Sequence, residues 1–364
     1  MSQENSSLDD VEILQLESEL KDSELTPLKY DISIIPADYT LEVLYHKWNA
    51  KEIVIPQFQR SYVWNIVQAS RLIESFMMGL PIPPVFFYVQ DDEKNLVIDG
   101  RQRLQTIFYF FDGYFGEPDN QGRRREFRLE GINDQSKWYR KRFEDFEESD
   151  KRQLKNTVLR TVLVKQLDPK QDHTSIYHIF ERLNTGGTSL QDQEVRNCVY
   201  SGKLNLLLGE LNEYPNWRAI LGKPKPDARQ KDIQLILRYM SLFHNSENYK
   251  RPMKDFLSKF MDTNTNPPKE FLQTEENRFK KTCDTIVENL GERPFHPKGA
   301  LNPSVFDSIF IAFAKHLDSI PKNISERVNS LRDDVKFKDL TSNATTDPPI
   351  VLGRMNLAES KLFG

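Results

Sequence analysis

Between residues 53 and 166 short β-branched or aromatic runs alternate with helix-period stretches, whereas beyond residue 172 the apolar residues recur at the spacing of a helix face. One change of period along the chain confines it to an α+β class, a mixed part followed by a mostly helical part. Ile53–Ile55, stopped by Pro56, reads as a brief strand. Val85–Val89 and Leu96–Ile98 flank the turn-forming cluster Asp91–Asn95 as a hairpin, and Val158–Gln166 reads as another strand. Among these, Ala69, Leu72, Ile73, Phe76 and Met77 lie on one helical face opened by Asn65 and stopped by Gly79 and Pro81. A further helix carries Leu104, Ile107, Phe108 and Phe111.

Past the strands, a helix from Asp172 presents Ile176, Ile179, Phe180 and Leu183, and ends in the turn 184–188. The next helix opens with Ser189 and Asp192 at capping-box spacing. Helical spacing then recurs around Ile233–Met240, Met253–Phe260 and Phe306–Phe313, with breaks at 222–226 and 264–269. The expected division is an acidic arm at 1–25, a mixed domain at 26–170 and a helical domain at 171–364.

Charge is unevenly spread. Residues 1–25 hold eight acids against Lys21, a net −7, so the remainder is +3 within a total of −4. Such a stretch is expected to be a solvated arm, although Leu14, Leu16 and Leu20 would let it fold against a partner. Residues 121–142 are +5: Arg123, Arg124, Arg125, Arg128, Lys137, Arg140, Lys141 and Arg142 outnumber the acids, with Phe127, Trp138 and Tyr139 interleaved. That strip suits a phosphate backbone with exposed bases, and equally a charged surface loop balanced by the acids of 144–150. The longest apolar run, 81–89, is too short for a membrane span, and no targeting pattern opens the chain, so the cytoplasm is the expected compartment. Cys198 and Cys283 form neither a zinc pattern nor a disulfide framework.

The chemistry-bearing residue types concentrate in Leu96-Val-Ile-Asp-Gly-Arg-Gln-Arg-Leu-Gln-Thr106, where a strand gives way to a helix. A helix N-terminus attracts anions through its unpaired N–H groups and its dipole. Arg101 and Arg103 add guanidinium groups where the dipole itself favours carboxylates, and Asp99 adds a carboxylate able to hold Mg²⁺ or orient water. An ordinary Asp-Gly turn before a solvated helix would also produce this spacing. Gln59 and Arg60, in a loop with Tyr62 and Trp64, supply a second phosphate-side group, the aromatics serving either to stack a base or to plug the core. The turn containing Asn184, Gly186 and Gly187 could bring backbone N–H groups to a phosphate, or merely turn a corner.

Several activities are excluded. Neither Gly-Lys pair, 202–203 or 222–223, has the upstream glycine of a P-loop. The six histidines show no metal spacing and the serines no nucleophile elbow. Glu-x-Lys occurs only at 19–21 and 359–361, so no nuclease centre is expected here.

Ile55-Pro-x-x-Gln59-Arg60-x-Tyr62-x-Trp64, Leu72-Ile-x-Ser75 with Gly79-x-Pro81-Ile82-Pro83, and Val97-Ile98-Asp99-Gly100-x-Gln102-Arg103-Leu104 together resemble the N-terminal domain of GmrSD-type modification-dependent restriction systems, known by a D-G-Q-Q-R motif. Phe180-x-x-Leu183-Asn184-x-Gly186-Gly187-x-x-Leu190-x-x-x-Glu194-x-Arg196-Asn197 extends the likeness, which spans about 40–355. The resemblance implies a ParB/sulfiredoxin-like α/β fold with a helical region after it. It also implies a nucleoside triphosphate bound with Mg²⁺, its base left open, and hydrolysed at the motif.

By position, Asp99, Gln102 and Arg103 inherit the catalytic role and Asp99 the metal. Gln59, Arg60, Gly100, Arg101, Asn184, Gly186 and Gly187 fall to nucleotide binding. Arg101 stands where the family usually has Gln and adds a charge, so hydrolysis and binding alone are both open. Members act in bacterial defence against foreign DNA, often modified, and commonly carry an HNH nuclease domain. None is expected in this chain, which implies a nuclease or other effector in trans. The expected protein is a nucleotide-dependent DNA-sensing or regulatory component, with DNA on Arg123, Arg124, Arg125, Arg128, Arg140, Lys141 and Arg142, no membrane partner, and room for a homo-oligomer. The alternatives are a non-enzymatic DNA-binding module and an inhibitor acting through the acidic arm.

Overall fold

The computed structural model describes residues 31–55, 62–90, 92–119, 121–168, 191–227, 229–296 and 299–364, together with Ile179. The chain divides into two compact units, one spanning 29–189 and the other containing 190–364.

The first unit is built on a five-stranded mixed sheet. Its strands are β1 (Asp31–Thr40), β2 (Ile53–Val54), β3 (Val85–Val89), β4 (Asn95–Asp99) and β7 (Val158–Asp168), in the order β1-β7-β3-β4-β2. β1 runs antiparallel to β7 and β4 antiparallel to β3, while β3–β7 and β2–β4 are parallel. Helices α1 (Leu41–Asn49), α2 (Ile66–Met77), α3 (Arg101–Asp112) and α4 (Glu148–Asn156) share a core with the sheet, and β5 (Tyr114–Phe115) pairs with β6 (Arg125–Glu126) as a separate ribbon. The face predicted for α2 is the one it buries: Ala69, Leu72, Ile73, Phe76 and Met77 pack with Val85, Phe87, Val97, Leu104, Ile107 and Phe108. Asn65 caps α2 by accepting from Gln68 N, and Gln68 reaches back to Asn65 N, a complete capping box.

β1 and α1 had no sequence signature. β1 lies at the sheet edge, where Pro36 costs no ladder bond, and Ile34 is 67% exposed beside an exposed Ile35, so its apolar residues do not alternate. α1 buries only Leu41 and Leu44, too few to mark a periodic stripe.

The second unit is helical in its described residues. It contains α5 (Asp192–Val199), α6 (Lys203–Asn212), α7 (Pro215–Leu221), α8 (Lys231–Asn245), α9 (Met253–Thr263), α10 (Lys269–Leu290), α11 (Pro303–Lys315), α12 (Ile324–Asp333), α13 (Val335–Leu340) and α14 (Pro348–Phe363). Trp217, Tyr239, Phe279, Phe306 and Phe310 form an aromatic centre with ring centroids 4.8–6.4 Å apart. Charge is buried here too: Arg238 and Arg354 both donate to Asp307 Oδ2, at 2.7 and 3.2 Å.

The capping box expected at Ser189 and Asp192 lies two residues further on. Gln191 is the N-cap of α5, and buried Glu194 accepts from Gln191 N at 2.7 Å. Cys283 is buried, and burial pushes its thiol well above the usual range, in keeping with a packing role. The expected helix from Asp172 and the arm at 1–25 lie outside the described residues, Ile179 excepted, which is helical. Among the described residues, no helix is long and apolar enough to cross a membrane.

Candidate functional site

The strand-to-helix junction is shaped by a bulge and a glycine. β4 carries one extra residue, Ile98, against β3, so that Phe86 pairs with Asp99 and Phe87 with Val97. Such an irregularity re-aims the next side chain, here the carboxylate of Asp99 at the strand end. Gly100 then turns the chain into α3 with φ +95°, a left-handed conformation that disfavours any Cβ. A Cβ there would also lie 2.3 Å from Val85 Cγ1 and 3.2 Å from Arg103 Nη2. Gly100 is the N-cap and offers no side chain to the first turn.

The three residues that follow point to three different segments. Arg103 turns back over the junction: its Nη2 donates to Asp99 Oδ2 at 2.9 Å and to Pro84 O at 3.1 Å. Its Nε is buried and meets no acceptor among the described residues. Gln102 uses its carbonyl end on the loop before α2, Oε1 accepting from Val63 N at 3.1 Å and Trp64 N at 3.3 Å. Arg101 lies along the helix, its Nε donating to Gln105 Oε1 at 2.8 Å.

Tyr62 closes the same loop onto α3. Thr106 Oγ1 donates to Gln102 O, so the Tyr62 hydroxyl, 2.7 Å away, donates to Thr106. The Tyr62 ring packs edge-on against Tyr109 and Phe115, and burial pushes its phenol up to about 12. Tyr62 and Trp64 are half-buried and both pack against the core, as the plug reading expects. Gln59, Arg60, Asn184, Gly186 and Gly187 lie outside the described residues. Asp99, Gly100, Arg101, Gln102 and Arg103 therefore form the described part of the site. Sequence reasoning did not select Gln105, Tyr109 or Thr106, although a polar side chain four residues after each of Arg101 and Gln102 was the available signal.

The basic strip begins at the β5–β6 ribbon. Four of its seven selected cations are paired with acids: Arg123 with Asp119, Arg125 with Glu130, Arg128 with Glu126, and Arg142 with Asp145 and Glu126. Arg142 holds the Asp145 carboxyl down at about 2 through its hydrogen bonds. Arg124 lies over the Tyr114 ring and Arg140 over Tyr139, and neither they nor Lys141 has an ion pair among the described residues. Phe127 is buried, and Trp138 donates its indole N–H to Asp150 while Lys137 lies over its ring. Among the described residues, no group of three or more His, Cys, Asp or Glu could hold a metal ion, so Asp99 belongs to no such cluster.

Residues 41–201 match the family model described as GmrSD restriction endonuclease, N-terminal domain. Neither the curated proteins nor the solved structures compared give a match.

Proposed function

We propose that this chain, which carries a GmrSD N-terminal domain over residues 41–201, is a nucleotide-dependent component of a restriction-type defence system. In this reading a nucleoside triphosphate binds with Mg²⁺ at the β4–α3 junction and its binding or hydrolysis regulates a DNA-sensing role. Strand cleavage falls to a partner effector. The observation that carries the reading is the Asp99-Gly100-x-x-Arg103 turn, which sets a carboxylate and a guanidinium with a buried, unsatisfied Nε around an uncapped helix start.

The residues fit such a ligand. Helix N–H groups and Arg103 favour phosphate oxygens, and Gly100 keeps the backbone bare beside them. Mg²⁺ usually takes one or two carboxylates and leaves its other positions to phosphate and water, so Asp99 alone suffices. When bound, the metal would neutralise charge on the phosphates. Arg103 would grip the phosphates while still tethered to Pro84 O, and Asp99, relieved of part of its hold on Arg103, would be available to metal or water. Gln102, expected to share the catalytic role, acts by positioning: its acceptor oxygen holds Val63 and Trp64, three and four residues after Arg60 in the chain. DNA is assigned to the strip around Arg124, Arg140 and Lys141, which have no ion pair among the described residues.

The test is phosphate release from each of the four ribonucleoside triphosphates with Mg²⁺, with and without DNA. Asp99→Ala should lower turnover by roughly 100-fold or more, the scale of losing one preorganised electrostatic group. Arg103→Ala should abolish nucleotide binding, and unchanged affinity in that variant refutes the assignment. Salt-dependent DNA affinity with no nucleotide binding in the wild type would instead make the chain a DNA-binding module.

A further inference from the structure

One face of α3 carries a hydrogen-bonded chain that the site described above leaves unexplained. Arg101, Gln105 and Tyr109 stand at i, i+4 and i+8. Arg101 Nε donates to Gln105 Oε1 at 2.8 Å, Gln105 Nε2 donates to the Tyr109 hydroxyl at 3.3 Å, and that hydroxyl donates to Glu117 Oε1 at 2.6 Å. Every donor points the same way, from a guanidinium at the junction to a carboxylate just beyond β5. Hydrogen bonds aligned in this sense polarise one another, and burial strengthens them. Gln105 and Tyr109 are 6% and 7% exposed, whereas Glu117 is exposed.

Fold alone does not ask for this chain. Gln105 is buried, and an apolar side chain in its place would need no partners at all. The chain also has an electrostatic sense. Burial and the Glu117 carboxylate raise the Tyr109 phenol, while the Arg101 charge opposes them. Tyr62, which closes the loop onto α3, packs edge-on against the same tyrosine at 5.1 Å.

We infer that Gln105 and Tyr109 are positioning residues that fix the Arg101 guanidinium as a phosphate-side cation of the junction, with Glu117 as their outer anchor. This inference rests on the nucleotide reading and extends it. With Nε held by Gln105, the guanidinium is fixed along α3, one turn from the helix start that the nucleotide reading gives to the phosphates. A flexible cation would lose rotamer freedom on binding, and one already held in place loses less.

The test is a binding titration of full-length protein with ATP, GTP, CTP and UTP, each with Mg²⁺. Its variants are Arg101→Met, Tyr109→Phe, their double variant, Glu117→Gln and Glu117→Leu. Removing the charge-assisted contact in Arg101→Met should weaken affinity by ~10-fold or more, and Tyr109→Phe by ~3- to 10-fold. In the Arg101→Met background, Tyr109→Phe should have no further effect, because its influence runs through Arg101. Glu117→Leu should behave as Tyr109→Phe does, while Glu117→Gln, which keeps an acceptor for the phenol, should recover most of the loss. Wild-type affinity in Arg101→Met, or equal losses from Tyr109→Phe in both backgrounds, overturns the inference and leaves the junction reading standing. A wild type that binds none of the four nucleotides overturns both.

Discussion

Gly100 makes the junction geometry measurable apart from any ligand. In Gly100→Ala the new Cβ must accept φ +95°, a left-handed conformation costing about 1–2 kcal/mol for a residue with a side chain. It must also displace Val85, whose Cγ1 would be 2.3 Å and Cβ 2.9 Å away, and overpacking of a filled core costs about 1–3 kcal/mol. Val85 is fully buried on β3, next to the Pro84 carbonyl that accepts from Arg103, so relief by movement would disturb the site itself. The expected loss is about 2–5 kcal/mol. Amide exchange of the β3 and β4 peptides in the full-length chain reads it as a ~30- to several-thousand-fold acceleration where these strands open with the first unit. The double variant Gly100→Ala/Val85→Ala separates the two terms: the steric part should vanish as a favourable coupling of about 1–3 kcal/mol, leaving the conformational part. Wild-type exchange in Gly100→Ala, or strict additivity in the double variant, would refute the claim that Val85 and the positive φ hold this turn.

Two further expectations concern the basic strip. Replacing Arg124, Arg140 and Lys141 together with Gln should flatten the dependence of log affinity for duplex DNA on log salt by about 0.9 for each phosphate these side chains neutralise, whereas replacing the acid-paired Arg123, Arg125 and Arg128 should change it less. Equal effects from the two triples would remove the distinction drawn between them. Asp145, held at about 2 in the fold by Arg142, contributes stability that is present above the ordinary carboxylate pKa near 4 and is lost as pH falls from there toward 2. Its NMR titration midpoint should therefore rise in Arg142→Gln, and an unmoved midpoint would assign the shift to another cause.

Elements with a wide apolar stripe were legible in the sequence because burial and period coincide in them. The face of α2 from Ala69 to Met77 and its Asn65 cap are the clearest case. β1 was not legible: an edge strand with Pro36 inside it and Ile34 in solvent breaks the alternation that marks a strand. At the junction, residue types put the helix start at Asp99 or Gly100, and the structure gives Asp99 to the strand end and Gly100 to the N-cap. Partners were another matter. That Gln102 would spend its acceptor on Val63 and Trp64 depends on a contact 38 or 39 residues away, which local spacing does not encode. The strip between 121 and 142 was legible as net charge, but its pairing with Asp119, Glu130 and Asp145 was not, because ion-pair choice follows from loop geometry.

A run of polar residues opening a helix looks like a solvated start until its directions are considered. Successive helical residues are rotated by about 100°, so 101, 102 and 103 cannot face the same way. Arg103 secures the junction to β4 and the entry to β3, Gln102 secures the loop ahead of α2, and Arg101 is secured along α3 toward the segment after β5. With Thr106 and Tyr109 further along, α3 thus ties together segments that the sequence spreads from Tyr62 to Glu117. The consequence for function is specific. An alanine at any of the three removes a contact to the protein as well as any contact to a ligand, so loss of activity alone assigns no role. Asp99→Ala leaves Arg103 only its bond to Pro84 O, and Arg103→Ala takes the ion pair away from Asp99. Only measurements that separate affinity from turnover, and single from paired variants, can divide the work of holding this turn together from the work of holding a phosphate.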